Sequence, residues 1–520
     1  MKLPANLTFG ASGALFFACV QISLPQSAPQ CAYCHSDEVA QWSGSAHGNT
    51  QTDVAGELAQ SHPGENPASV IAGEDCIACH SPTAVVARGG MSEAQALNYF
   101  FTTSNGVFTA ATMATNSDAW PHVDCLACHN VVDPNEFRLS FFDSRSAKYV
   151  PMKNASQLCG QCHGSLRFAD TDHRIYDAWV ASKHNLTQAD VAGELGASHP
   201  GESPAEVIQG ENCIACHAPT AATVSGGDES TALAHFFTTV NGQFTGDTST
   251  TNEAQWPGVS CNACHNPHDP GTVSYFNSTT QVYETMTNSA QLCGQCHGNL
   301  RFPDTDHLSY NIIAGTGGIG VPDRQDMPGV TCTDCHMFTS DVDGSVSRMF
   351  HGHSWAVTVQ EPDGGSTTSC TSCHSSMDTP MASGIIASWK AEFQDLDAVV
   401  SANVARAAAA MQGVQDANLL AALAEAQHNL TYAESDESGG VHNHAYVMAL
   451  LEDANAKALS FPILDASLQD GRVVISWTGA GTLQSAASLA GPWSDVASTT
   501  NRVVVIPVAG PEQQYYRLRP

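Results

Sequence analysis

Apolar and polar positions change rhythm twice along this 520-residue chain. Residues 383–459 are rich in Ala, Leu, Glu and Gln and lack Pro. That pattern predicts long helices over 383–411, 416–433 and 441–459, with Gly439-Gly440 parting the second from the third. From Phe461 the rhythm shortens to β-like runs, RVVISW and RVVVIP, with Gly and Pro turns between them. Before residue 383 the pattern is short and irregular, and it repeats.

Residues 31–156 and 159–290 carry one unit twice. TDVAGELAQSHPGENPASVIAGEDCIACHSPTA at 52–84 returns as ADVAGELGASHPGESPAEVIQGENCIACHAPTA at 189–221. YFFTTSNGVFT returns as HFFTTVNGQFT, and Trp120-Pro121 returns as Trp256-Pro257. A more divergent third copy opens at Cys293, where CGQCHGNLRFPDTDH follows CGQCHGSLRFADTDH of 159–173. Units that cannot bury their own faces stack on their neighbours. The expected organisation is a signal peptide (1–28), repeat units at 29–156, 157–290 and 291–380, a helical segment (381–460) and a small β-sandwich-like module (461–520).

The repeated chemistry is Cys-x-x-Cys-His, found nine times. The first six cysteine pairs are Cys31 with Cys34, Cys76 with Cys79, Cys125 with Cys128, Cys159 with Cys162, Cys213 with Cys216, and Cys261 with Cys264. The last three are Cys293 with Cys296, Cys332 with Cys335, and Cys370 with Cys373. The histidines that follow are His35, His80, His129, His163, His217, His265, His297, His336 and His374. Two thiols at this spacing add to the two vinyl groups of a haem, and the adjacent imidazole becomes the proximal iron ligand. Zinc sites need two such pairs per metal and place no demand on the next residue. Disulfides make no such demand either. The motifs therefore predict nine covalent c-type haems, three to a unit, which take 18 of the 19 cysteines and leave Cys19. With 13% charged and 7% aromatic residues, the chain has few large core side chains, and porphyrins are expected to supply apolar core.

The formal charge of −32 argues against nucleic acid and anionic lipid as partners. It favours basic redox partners, as electron donor and acceptor. Lys2, an apolar stretch from Leu7 to Leu24 and Ser27-Ala28 resemble an export signal with cleavage near Ala28. Lipidation at Cys19 is the alternative. No later stretch is apolar for long enough to span a bilayer. A periplasmic, extracellular or outer-membrane-associated place in a bacterium is expected.

Fourteen of the 23 histidines lie outside the motifs, enough imidazole for every iron to be six-coordinate. Repeat symmetry selects His47 with His184, His62 with His199, and His173 with His307 as distal candidates. His353, His428 and His442 complete the set. His122, His235 and His268 have no counterpart in the sister unit. Mostly bis-histidine, low-potential haems are expected.

Two resemblances enter on these residues. The motif followed by Trp-x-x-Ser-x-His, at 31–47 and 159–184, looks like the cytochrome c-554 class of multihaem proteins. DESGGVHNHAYVMALLEDA at 436–454 resembles the closing helix of the pentahaem nitrite reductase and hydroxylamine oxidoreductase superfamily, which implies a haem-binding role for His442. The Cys-x-x-Cys-Lys motif of the ammonia-forming nitrite reductases is absent from this sequence, and nothing in it identifies the cross-linking tyrosine of the hydroxylamine oxidoreductases. The resemblance implies architecture and a redox role, without their activity. The fold expected is a mainly α and irregular multihaem cytochrome c array, then a helical hairpin or bundle, then a small all-β module.

Electron transfer between closely packed haems needs nothing beyond these ligands. The alternative is an oxidoreductase acting on a small nitrogen or sulfur oxyanion, of the nitrite, hydroxylamine or tetrathionate type. Its locus would be an open haem near Cys332, Cys335 and His336, with Arg348, His351 and His353 as anion-binding groups. End-to-end self-association, continuing the internal array, is a third expectation.

Overall fold

The computed structural model describes residues 31–520, except Arg88, 131–138, Asp170, Asp172, Asp304, 339–351, 361–364, Gly413, Gly471, 497–502, 508–512 and Pro520. The expected export signal, Cys19, Arg348 and His351 lie outside the described residues. The chain forms two compact units, one of 31–292 with 333–357 and the other of 293–332 with 358–520. It is mainly helical, with small antiparallel sheets.

The first unit contains the repeat twice, and each copy builds its own small core. In the first copy Val54, Leu58, Val70, Ile77, Leu97, Phe100, Phe101, Phe108 and Trp120 cluster. Val191, Leu195, Val207, Ile214, Leu233, Phe236, Phe237, Phe244 and Trp256 take the same places in the second. Each copy thus has a side-chain core of its own.

Polar pairs lock each core in the same way twice. Trp42 Nε1 donates to the Val123 carbonyl at 2.8 Å, and Trp179 Nε1 donates to Val259 at 2.8 Å. Thr50 Oγ1 donates to the His80 carbonyl at 2.6 Å while accepting from Trp120 Nε1 at 3.1 Å. Thr187 does the same with His217, at 2.6 Å, and Trp256, at 3.1 Å. One hydroxyl therefore ties a motif histidine's backbone to a core indole. A buried donor left without its acceptor costs about 1–3 kcal/mol, so the pair strongly favours this arrangement.

Each copy ends in a β-hairpin that the irregular pattern conceals. Ser140–Asp143 pairs antiparallel with Lys148–Pro151, and Asp269–Asn277 pairs with Val282–Thr285. Both turn through a left-handed residue, Ala147 (φ 51°) and Gln281 (φ 55°). Neither is the Gly or Asn that announces such a turn in sequence.

In the second unit three helices, Thr379–Ala410, Ala417–Glu434 and His444–Ser460, pack around Val400, Val404, Ala426, Leu430, Val447, Leu450, Leu451 and Ala454. The first starts four residues earlier than the composition suggests. Asp378 accepts from the Met381 amide at 2.8 Å and Pro380 sits in the first turn, so the cap lies upstream of the Ala-rich run. The third starts at His444, which leaves His442 in the loop before it rather than on the helix. Asn429, fully buried, fixes the 316–319 loop to this bundle through Ile319 N (2.8 Å) and O (2.9 Å). From Leu464 six strands form two three-stranded antiparallel sheets around Ile475, Trp477 and Leu483.

Candidate haem centres

A Cys-x-x-Cys spacing places both sulfurs on one face of a helical turn, because residues i and i+3 are neighbours there. The structure builds that turn at the motifs. Short helices run over Cys76–His80, Cys125–Cys128, Cys213–His217, Cys261–Cys264, Cys332–His336 and Cys370–Cys373. Side chains just upstream cap three of them. Asp75 accepts from Ala78 N (3.1 Å), Asp124 from Ala127 N (3.0 Å) and Asn212 from Ala215 N (3.2 Å). Where the motif is a tighter turn, amides of its second half close it on the first cysteine's carbonyl. The Cys31 carbonyl accepts from Cys34 (3.1 Å) and His35 (2.8 Å), and the Cys159 carbonyl accepts from Cys162 (3.1 Å) and His163 (2.8 Å). Cys296 (3.2 Å) and His297 (2.9 Å) close on Cys293 in the same way, and His374 closes on Cys370 at 2.9 Å.

The motif sulfurs differ in exposure. Cys76 and Cys213 are buried, because their turns carry Ile77 and Ile214 into the two side-chain cores. Burial pushes both thiols up to about 12. Their partners Cys79 and Cys216 are half-buried, as are Cys296 and Cys335. Cys34 and Cys373 are exposed, on turns that bury none of their own residues. Among the described residues no motif cysteine is joined in a disulfide.

The motifs touch one another. The Cys31 sulfur neighbours that of Cys125, Cys79 that of Cys162, and Cys159 that of Cys261. The second, fourth and sixth motifs therefore form a connected run, and the first lies against the third.

The imidazoles are spaced for metal. Two rings bound to opposite sides of one ion, with bonds of about 2 Å, have centroids about 6.3 Å apart. His129 and His268 stand 6.4 Å apart at 22°. His265 and His353 stand 6.2 Å apart at 31°. His163 lies 6.1 Å from His47 and 6.3 Å from His173. Both of these also lie close enough to His80 to depress its pKa. His47, His80, His163 and His173 thus make a cluster of four imidazoles, two from motifs and two from elsewhere.

Electrostatics keep these rings neutral, the form that binds metal. Burial, and then the neighbouring His47, His173, His80 and His265, push His163 down to about 4. Burial is also the first cause of the lowered pKa of His47, His80, His129, His265 and His268. Backbone carbonyls orient several rings. His47 bonds Pro267, His265 bonds Pro270, and His336 Nδ1 donates to Trp355 O at 2.8 Å.

The remaining candidates are placed differently. His184 meets the Trp355 ring edge-on at 4.0 Å. His62 and His199 are buried and held by glutamates, at 3.3 Å from Glu65 and Glu74 and from Glu202 and Glu211 respectively. His307 pairs with Glu437 at 3.2 Å. His428 donates to the Gly317 carbonyl at 2.9 Å and stacks on Tyr432. His442 donates through Nδ1 to the buried Asp436 at 2.5 Å. Burial opposes its charge, but Asp436 outweighs that and the Cys332 thiol adds to it, so its pKa is raised. An Nδ1 tied to a carboxylate fixes the tautomer and orientation of the ring, as it does in metal-binding histidines.

Two residues escape the sequence reading. His268 has no repeat counterpart, yet it faces His129. Arg167 lies at 5.1 Å and 5.3 Å from the Phe141 and Phe168 rings, pairs with Asp143 at 2.6 Å, and lies near Cys79 and Cys162. Its signal was the repeated LRF of 166–168 and 300–302.

Comparison with known families gives three local matches. They are cytochrome c554 and c-prime over 30–130, outer membrane cytochrome MtrC/MtrF-like domains II/IV over 202–345, and cytochrome c552 over 325–473. The resemblance read at 31–47 falls within the first of these spans and that at 436–454 within the last, while the copy at 159–184 lies outside all three. No curated protein matches the chain. Among solved structures, the outer cell wall cytochrome OcwA is 18% identical, with TM-score 0.45, covering 83% of this chain and 99% of that one. An undecahaem S-layer cytochrome of Carboxydothermus ferrireducens is 14% identical, with TM-score 0.35, covering 85% of this chain and 70% of that one. The cytochrome c nitrite reductase of Desulfovibrio desulfuricans ATCC 27774 is 17% identical, with TM-score 0.31, covering 53% and 69%.

Proposed function

We propose that this multihaem c-type cytochrome, with its haem bound covalently, carries nine haems and passes electrons along them outside the cytoplasm. The observation that carries the reading is the imidazole spacing, because motif and non-motif histidines stand where one iron would join them. His268 would complete the haem of His129 and His353 that of His265. His47 and His173 would complete the haems of His80 and His163. His442, braced by Asp436 and near Cys332, is the best-oriented candidate in the second unit. Six-coordinate iron leaves no place for substrate, so these haems exchange electrons only.

Every motif would contribute two thioethers. Cys34, Cys216, Cys296 and Cys335 supply the second sulfur of their pairs, beside His35, His217, His297 and His336, and their partial exposure leaves room for a vinyl group to approach. Contacts between motif cysteines support a path. A thioether sulfur lies at the porphyrin edge, so Cys79 against Cys162 and Cys159 against Cys261 bring the second, fourth and sixth haems edge to edge. The two copies at 29–156 and 157–290 act as three-haem units within this path. The acidic surface suits basic redox partners as donor and acceptor. None of the described helices is long and apolar enough to cross a membrane. The match to an outer-membrane cytochrome family over 202–345 supports export.

An electron paramagnetic resonance spectrum of the oxidised protein tests the reading. Low-spin signals should account for the irons of the first unit's paired histidines and stay unchanged with nitrite or hydroxylamine. High-spin iron that shifts with either compound would favour the oxyanion-converting enzyme instead.

A further inference from the structure

We propose that each of the first two repeats binds a divalent cation of the zinc class, outside the haem irons, at the converging Glu57/His62/Glu74 in the first and at the equivalent His199/Glu211 pair, with Glu194 as the third ligand by repeat symmetry, in the second. In the first copy one ligand atom from each of Glu57, His62 and Glu74 lies within 4.8 Å of the others. His62 Nε2 stands 3.3 Å from Glu74 Oε2, and His199 Nε2 stands 3.3 Å from Glu211 Oε2. Ligands about 2.05 Å from one tetrahedral ion are about 3.3 Å apart, so both pairs already have the edge length of a metal site.

The hydrogen bonding points the same way. His62 Nδ1 faces Glu65 and His199 Nδ1 faces Glu202, each at 3.3 Å. An Nδ1–H given to a carboxylate leaves Nε2 as a lone pair, which is how histidine is prepared for metal. Nε2 then meets a glutamate oxygen, so this contact takes either a second ring proton or a cation between the two atoms. His199 Nε2 is buried and makes no hydrogen bond. Three carboxylates around one imidazole leave a net negative charge even if the ring is protonated, so a proton alone balances the site less well than a divalent ion.

Duplication is independent support. The second copy changes Asp75 to Asn212 but keeps the histidine and all three glutamates. Both sites sit at a haem motif, since Glu57 and Glu74 lie beside Cys76, and Glu194 and Glu211 lie beside Cys213. The cation would tie the helices Thr50–Gln60 and Thr187–Ser198 to the residues that open these motifs.

The test is zinc titration of chelator-treated, haem-loaded full chain by calorimetry, with low-spin haem counted in parallel. Two tight zinc ions per chain are expected. The Glu74→Gln/Glu211→Gln double variant should lose both, and Glu65→Gln should weaken the first site about 10–100-fold. Absence of tight binding, or two tight ions retained in the double variant, overturns the proposal. A His62→Ala chain that keeps its haems but gains high-spin iron would also overturn it, by making His62 a haem ligand. Loss of low-spin signal from the unsubstituted chain would instead strike the electron-transfer reading and leave the zinc result standing.

Discussion

Changing Cys159 and Cys162 together to Ala should leave an exported protein one haem short and largely unable to pass electrons between its second and sixth haems. Cys162 touches Cys79 and Cys159 touches Cys261, so this one motif bridges its two neighbours. On the proposed ligation, His47 and His173 would also lose one of their two irons. Intact mass should fall by a single haem. Flash reduction should show one group of irons reduced quickly and the remainder slowly. An unchanged time course would mean that electrons reach the sixth haem by another route.

The second large effect is expected at His268. His268→Ala removes the ring 6.4 Å from His129 and adds nothing in its place. The haem at Cys125 and Cys128 stays attached, because its thioethers and His129 remain. Its iron becomes five-coordinate, and one high-spin iron per chain appears in the spectrum. His122→Ala should leave the iron spectrum as it was. Its Nδ1 accepts from the Thr50 amide at 3.1 Å, a structural role, and burial lowers its pKa. A His268→Ala protein with unaltered low-spin signals would remove this residue from the ligand set.

These two histidines mark where the sequence is readable and where it is not. Attachment chemistry is local, so five consecutive residues reveal it at every motif. The surroundings of each sulfur are not local, which is why exposed Cys34 and half-buried Cys216, Cys296 and Cys335 read the same as buried Cys76. Duplication is equally plain, and the repeated core of Ile77 and Ile214 or Trp120 and Trp256 follows from it. Distal ligation is long-range, and repeat symmetry speaks only to positions that both copies keep. His268 belongs to the second copy but stands 6.4 Å from a motif histidine of the first, so comparing equal positions of the two copies passes over it. His62 and His199 are retained in both copies and so resemble ligands, yet glutamates surround them. Retention showed that they matter without showing for what. The hairpins were hidden for a simpler reason: their turns use Ala147 and Gln281, residues that carry no turn signature.

All of this depends on thioether attachment at every cysteine pair. The mass of the purified, exported polypeptide measures it directly. Nine haems of added mass are predicted, with an absorption spectrum of bis-imidazole c-type haem. A chain carrying none, or one whose cysteines are found as zinc thiolates or disulfides, would contradict the account from its first step.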